Sequence, residues 1–135
     1  MPSLKRLEEA WAWLGFARED LETAEVLLAA DPPRLRQALF HSQQGAEKSL
    51  KTFPVAHEVT YPLTHSLTLL MDLCTELDAA LHERILPSVW LTQFAVRFRY
   101  PGDFAESSSE QAAEGLATAK AVYASVAERL TTCNP

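Results

Sequence analysis

The sequence predicts one all-α domain over residues 1–135, an up-and-down antiparallel bundle of four to five helices. Three observations point there. Apolar residues recur at helical spacing along most of the chain. Glycine is scarce, at four residues, and the eight prolines fall mostly between the periodic stretches, which disfavours a turn-rich β fold. The connections between those stretches are mostly short, as antiparallel neighbours require. An apolar fraction of 47% in 135 residues is enough for a buried core and too high for a disordered chain.

The first helix is expected over Leu4–Ala30, with Leu4, Leu7, Trp11, Leu14, Leu21, Ala24 and Leu28 as its apolar repeat. Gly15 marks a bend or a close contact. Asp31-Pro32-Pro33 stops the helix, because proline cannot extend it and constrains the residue before it. A second helix is predicted from Arg34 to Phe53, with Leu35, Leu39, Ala46, Leu50 and Phe53 on one face. Arg36, Gln44, Lys48 and Lys51 should point away, and Phe53-Pro54 is the expected stop. Residues 54–63 read as an ordered loop. Thr64 is the expected N-cap of a third helix, His65–Leu77, with Leu67, Leu70, Met71 and Cys74 inward. Asp78 then caps a fourth helix reaching Arg99, kinked or restarted at Pro87. Trp90, Leu91, Phe94, Ala95 and Phe98 form its apolar stripe. A turn at Tyr100-Pro101-Gly102-Asp103 leads to the last helix, for which Ser107 and Glu110 have capping-box spacing. Its buried side is expected to hold Ala112, Leu116, Ala119, Tyr123, Val126 and Leu130.

Charge narrows the function classes. A formal charge of −6 argues against a general grip on nucleic acid, which depends on many cations facing phosphates. The distribution is uneven. Residues 1–31 are acidic, at net −4, whereas 34–53 and 84–102 each carry +3. If the second and fourth helices are neighbours, they form a basic surface where a phosphate could settle. The plainer reading pairs these cations with the acidic first helix or leaves them in water. Cys74 and Cys133 lie far apart and outside any CxxC pair, as reduced cytosolic thiols do. No apolar run approaches membrane length and the first ten residues lack an apolar leader core, so a cytoplasmic location is expected. No His, Cys and carboxylate grouping has metal-ligand spacing, and the isolated glycines make no phosphate loop. Neither a metal nor a cofactor is expected.

The densest polar cluster runs from Phe40 to Lys51. Arg36, Gln43 and Glu47 fall near one line beside the apolar stripe, which places Gln43 to be half buried as both donor and acceptor. Spacing alone favours a structural role, with glutamines joining helices and Gly45 allowing close packing. Glycine inside a helix costs about 1 kcal/mol against alanine, so close approach is its natural compensation.

Several pieces occur in order along nearly the whole chain. They are Ala17 with Asp20-Leu21; Phe40-His41, Gln43-Gln44, Glu47-Lys48 and Lys51; Thr64-His65 with Leu67; and Arg99-Tyr100-Pro101. Together they resemble the HEPN family, helical domains named for higher eukaryotes and prokaryotes nucleotide-binding. Gly45 departs mildly, since the family often has alanine there. The resemblance implies a homodimeric bundle, frequently partnered with a small nucleotidyltransferase, as in toxin–antitoxin pairs. It also implies binding of a nucleotide or other phosphorylated ligand, with Gln43, Gln44, Lys48, His65, Arg99 and Tyr100 as the candidate contacts. In some branches the family cleaves RNA without metal through an Arg-x(4–6)-His motif late in the bundle. Here no histidine follows His82, so that position is empty. Arg36 and His41 have the spacing, as do Arg34 and His41, but on the second helix, and chance accounts for such pairs. Two alternatives therefore stand beside ligand binding: a ribonuclease using Arg36 and His41, and a non-catalytic dimerisation scaffold. No complete catalytic motif stands where the nuclease branches place it, which favours a non-enzyme.

Overall fold

A computed structural model describes residues 3–60, 66–94 and 107–132, and every regular element among them is helical. The chain forms the up-and-down bundle that its periodicity predicts. Helix α1 spans Leu4–Ala29, and the Ser3 hydroxyl caps it by accepting the Arg6 amide at 3.2 Å. Its buried line is Leu7, Ala10, Leu14, Ala17, Leu21 and Ala24, large and small side chains alternating at three- and four-residue steps. Leu4 and Trp11, expected inside, are exposed. The Leu–Ala line occupies the inward direction, and Trp11 is turned by roughly 100° from Ala10. Gly15 makes no close contact: nothing lies within 4 Å of where its Cβ would be.

Helix α2, Leu35–Ala56, is the hub, packing on α1, on the helices that begin at Leu67 and Ser109, and on residues 86–94. It does not stop at Phe53, because Pro54 sits inside its last turn. Proline brings no N–H for the carbonyl four residues back, which is that of Leu50. A neighbour supplies the donor instead. The Cys74 thiol gives its hydrogen to the Leu50 carbonyl at 3.1 Å, and burial pushes that thiol up to about 12. The helix ends as the His57 amide bonds the Phe53 carbonyl at 3.0 Å and the Val59 amide bonds that of Pro54 at 2.8 Å. Glu58 takes the left-handed backbone this reversal needs, with φ 56°. The expected loop at 54–63 thus begins with helix, and its residues 61–63 lie outside the described ones.

Helix α3 spans Leu67–Leu77 and buries Leu67, Leu70, Met71 and Cys74, as its spacing predicts. It starts two residues later than expected, with Ser66 at the N-cap making no side-chain bond. The Thr92 hydroxyl accepts the Leu67 amide at 2.9 Å and does that work from across the fold. The predicted cap Thr64 lies outside the described residues.

The predicted fourth helix is the largest correction. Asp78 does cap it, accepting the Ala80 amide at 3.1 Å. Beyond the cap the chain makes a 3-10 turn, Ala79–Leu81, one turn of α4, His82–Ile85, and a second 3-10 stretch, Leu86–Phe94. Pro87 removes an amide that a continuous α-helix needs. The tighter winding brings Ser88, Leu91 and Phe94 inward every third residue, as three residues per turn dictate. Ala95, Phe98 and the expected turn at 100–103 lie outside the described residues.

Helix α5, Ser109–Thr131, closes the bundle. Its capping box is one residue later than predicted: Ser108 accepts the Gln111 amide at 3.0 Å, and the Gln111 side chain accepts that of Ser108 at 3.4 Å. The buried side is as expected, except that Val122 takes the place of the partly buried Tyr123. Among the described residues no helix is long and apolar enough to cross a membrane.

Candidate functional site

The polar face of α2 is built against α1 by one close contact. A Cβ at Gly45 would stand 2.6 Å from Leu21 Cδ2 and 3.3 Å from the Ala17 carbonyl oxygen, so the missing side chain is the space that α1 fills. The Ala-x-x-Asp-Leu signature thereby acquires a geometrical meaning. Ala17 and Leu21 seat α1 on Gly45, and Asp20, one position away, is carried to the edge of the interface.

There Asp20 meets two of the residues singled out above. Its Oδ1 lies 2.9 Å from His41 Nδ1, and its Oδ2 accepts from Lys48 Nζ at 2.6 Å. The carboxylate is 12% exposed, His41 32% and Lys48 30%. His41 and Lys48 stand two turns apart on α2, so a single acid from α1 draws their polar ends together. Among the described residues nothing bonds His41 Nε2, and Asp20 is the sole hydrogen-bond partner of the Lys48 ammonium. The Phe40 ring packs edge-on against the imidazole, centroids 5.4 Å apart. The acidic first helix and the basic second one thus do pair, as the plainer reading of the charges holds.

Gln44, on the same side of α2, donates its Nε2 hydrogen to Gln43 Oε1 at 2.7 Å. Gln43 is fully buried, and among the described residues its Nε2 has no partner. One turn on, the Glu47 carboxylate is buried and sits 3.7 Å from Lys51 Nζ. Expected to point away, Gln44, Lys48 and Lys51 are all partly buried. His65, Arg99 and Tyr100, the remaining candidate contacts, lie outside the described residues. Two groups carry more than sequence reasoning gave them: Asp20, matched in the motif but assigned no role, and the buried Glu47. The signal for Asp20 was its place between Ala17 and Leu21 on the inward line of an acidic helix facing a basic one.

The alternative catalytic pair is not brought together along the helix. His41 stands five positions after Arg36, which is roughly 140° around α2. Arg36 instead lines an open groove of about 380 Å³ at the start of the helix, with Pro33, Arg34, Leu35, Gln37 and Ser107. Arg34 also lines that groove, two turns before His41. Arg84, from the second basic stretch, pairs with Glu128 on α5 at 2.6 Å. Among the described residues no group of three or more acidic, histidine or cysteine side chains could hold a metal.

The HEPN domain family model matches residues 10–130. The crystal structure of TT1696 from Thermus thermophilus is similar over 89% of this chain and 97% of that one, with 27% sequence identity and a TM-score of 0.73. No curated protein matches the chain.

Proposed function

The chain belongs to the HEPN family, and from that premise we propose that it is a cytosolic binding module taking a nucleotide or other phosphorylated ligand on the polar face of α2. Gln43, Gln44 and Lys48 provide contacts in this reading, joined by His65, Arg99 and Tyr100 as the family resemblance implies. The observation that carries it is unused hydrogen-bonding capacity. Among the described residues the Gln43 amide nitrogen is buried without a partner, and Lys48 keeps two N–H donors beyond the one given to Asp20. A purely structural interface would have satisfied the Gln43 amide internally, since an unmet buried donor costs about 1–3 kcal/mol.

In the same reading the module acts as a homodimer and as the helical partner of a nucleotidyltransferase. Exposed Trp11 and Phe16 on α1 suit burial against a second copy. Sedimentation equilibrium reads the dimer directly, and a monomer at micromolar concentration removes that part.

Isothermal titration with a panel of nucleotides tests the ligand. Binding is expected for at least one, weakened about tenfold in Lys48→Met, the usual worth of one charge-assisted hydrogen bond. Absence of heat for every member at millimolar concentration, with and without Mg²⁺, rejects the proposal.

A further inference from the structure

We propose that Asp20, His41 and Lys48 form a hydroxyl-reading site, so that the ligand is one carrying a free sugar diol, such as a ribonucleotide rather than its deoxy form. The inference rests on the ligand-binding reading above and specifies which part of the ligand this cluster meets.

The chemistry follows from the shared carboxylate. In a neutral imidazole one nitrogen carries the hydrogen and the other a lone pair, and the partner of one decides the role of the other. Asp20 Oδ1 faces Nδ1 at 2.9 Å, so Nδ1 is the donor and Nε2 is left as an acceptor. That acceptor has no partner among the described residues, on a ring 32% exposed. Beside it Lys48 holds one N–H against Asp20 Oδ2 at 2.6 Å and has two to offer. The cluster therefore presents an acceptor and a donor whose side chains are held by the two oxygens of one carboxylate. A hydroxyl group is the complement, since it gives one hydrogen and accepts on its lone pairs, and two adjacent hydroxyls engage both groups at once.

Charge separates this from a phosphate subsite. The Asp20 carboxylate cancels the Lys48 ammonium, leaving the cluster without net charge while the imidazole is neutral, and a carboxylate behind the site opposes an anion. An uncharged polar group meets no such opposition. Sites built to bond a hydroxyl discriminate strongly against analogues lacking it, because their own groups are then left unpaired.

Asp20 is in this scheme a positioning residue, and its effect is legible without ligand. Long-range ¹H–¹⁵N NMR of the wild type should show His41 as the Nδ1–H tautomer in its neutral form. In Asp20→Asn the amide can itself donate to Nδ1, and the preference should be lost. Titration should then show the wild type binding a ribonucleotide at least tenfold more tightly than its 2′- or 3′-deoxy analogue. The preference should fall below twofold in Asp20→Asn and in His41→Phe, which keeps a ring in place if the first variant folds poorly. Equal binding of ribo and deoxy forms by the wild type overturns the proposal and leaves ligand binding intact, as does an Nε2–H tautomer. Binding of nothing in the panel ends the underlying reading, and this one with it.

Discussion

The stretch from Asp78 to Phe94 and the polar face of α2 both hold half-buried polar side chains, yet they use them in opposite ways. In the first, Asp78, Ser88, Thr92 and Gln93 turn their polar groups back on the backbone or a neighbouring helix. Ser88 donates to the Ile85 carbonyl at 2.7 Å, Gln93 to that of Trp90 at 2.9 Å, and Thr92 accepts the Leu67 amide at 2.9 Å. Asp78 accepts the Ala80 amide at 3.1 Å and pairs with Arg129 of α5 at 2.6 Å. These bonds compensate a chain that proline keeps from regular winding, and they leave little to offer a ligand. Along α2 most of the backbone is satisfied by its own helix, the Leu50 carbonyl excepted, so the side chains of the polar face are not needed for it. His41, Gln43 and Lys48 keep capacity in reserve. A regular helix at the hub can carry function because irregular structure elsewhere absorbs its own polar groups.

Three changes break or sharpen this contrast. The largest effect is expected from Gly45→Val, which puts a branched side chain where Leu21 and the Ala17 carbonyl already stand. Overpacking there should cost about 2–3 kcal/mol in urea denaturation. It should also separate Asp20 from His41 and Lys48, weakening ligand binding even where the fold survives. A smaller effect is expected at Cys74, which belongs to the self-satisfied side. Cys74→Ala leaves the Leu50 carbonyl with neither the amide that Pro54 lacks nor the thiol, at about 1–2 kcal/mol. Cys74→Ser keeps a donor and should recover part of the loss in the same denaturation assay. If Ser and Ala are equally destabilised, the thiol is mere filling. The smallest concerns His57 at the end of α2. Its ring stacks on Phe53, its Nε2 is buried without a partner among the described residues, and desolvation holds its pKa below the ordinary 6.5. The folded state then binds this proton less readily than the unfolded one, so stability is full above about pH 6.5 and declines below it. Replacing His57 with Phe should flatten the wild-type decline between pH 7 and pH 5, measured as urea midpoints.

Much of the architecture was legible because periodicity reports burial directly. Leu67, Leu70, Met71 and Cys74 of α3, and Ala112, Leu116, Ala119, Val126 and Leu130 of α5, are inward as their spacing implies. Two of the misjudged elements share one cause: a donor or a cap came from far away in sequence. Pro54 stands inside α2 because Cys74 lies twenty residues on, and α3 starts at Leu67 because Thr92 waits beside it. The capping box slipped by one residue because Ser107 and Ser108 satisfy the same spacing and only geometry chooses. At the site, the motif located the right stretch of α2 but not its organising acid. Asp20 acts across 21 residues on His41 and across 28 on Lys48, a relation that no spacing rule within one helix can reveal.

The period of three in residues 86–94 has one more consequence. Nine residues rising about 2.0 Å each cover roughly 18 Å, against about 13.5 Å for the same number in an α-helix, so this stretch crosses the bundle with fewer residues. Each residue also turns the chain by about 120°. An insertion of one amino acid before Leu91 would swing Leu91 and Phe94 away from the interior together, whereas an insertion of three would restore their direction and lengthen the span. This segment therefore counts its residues modulo three, a ruler whose gradations only whole turns can alter.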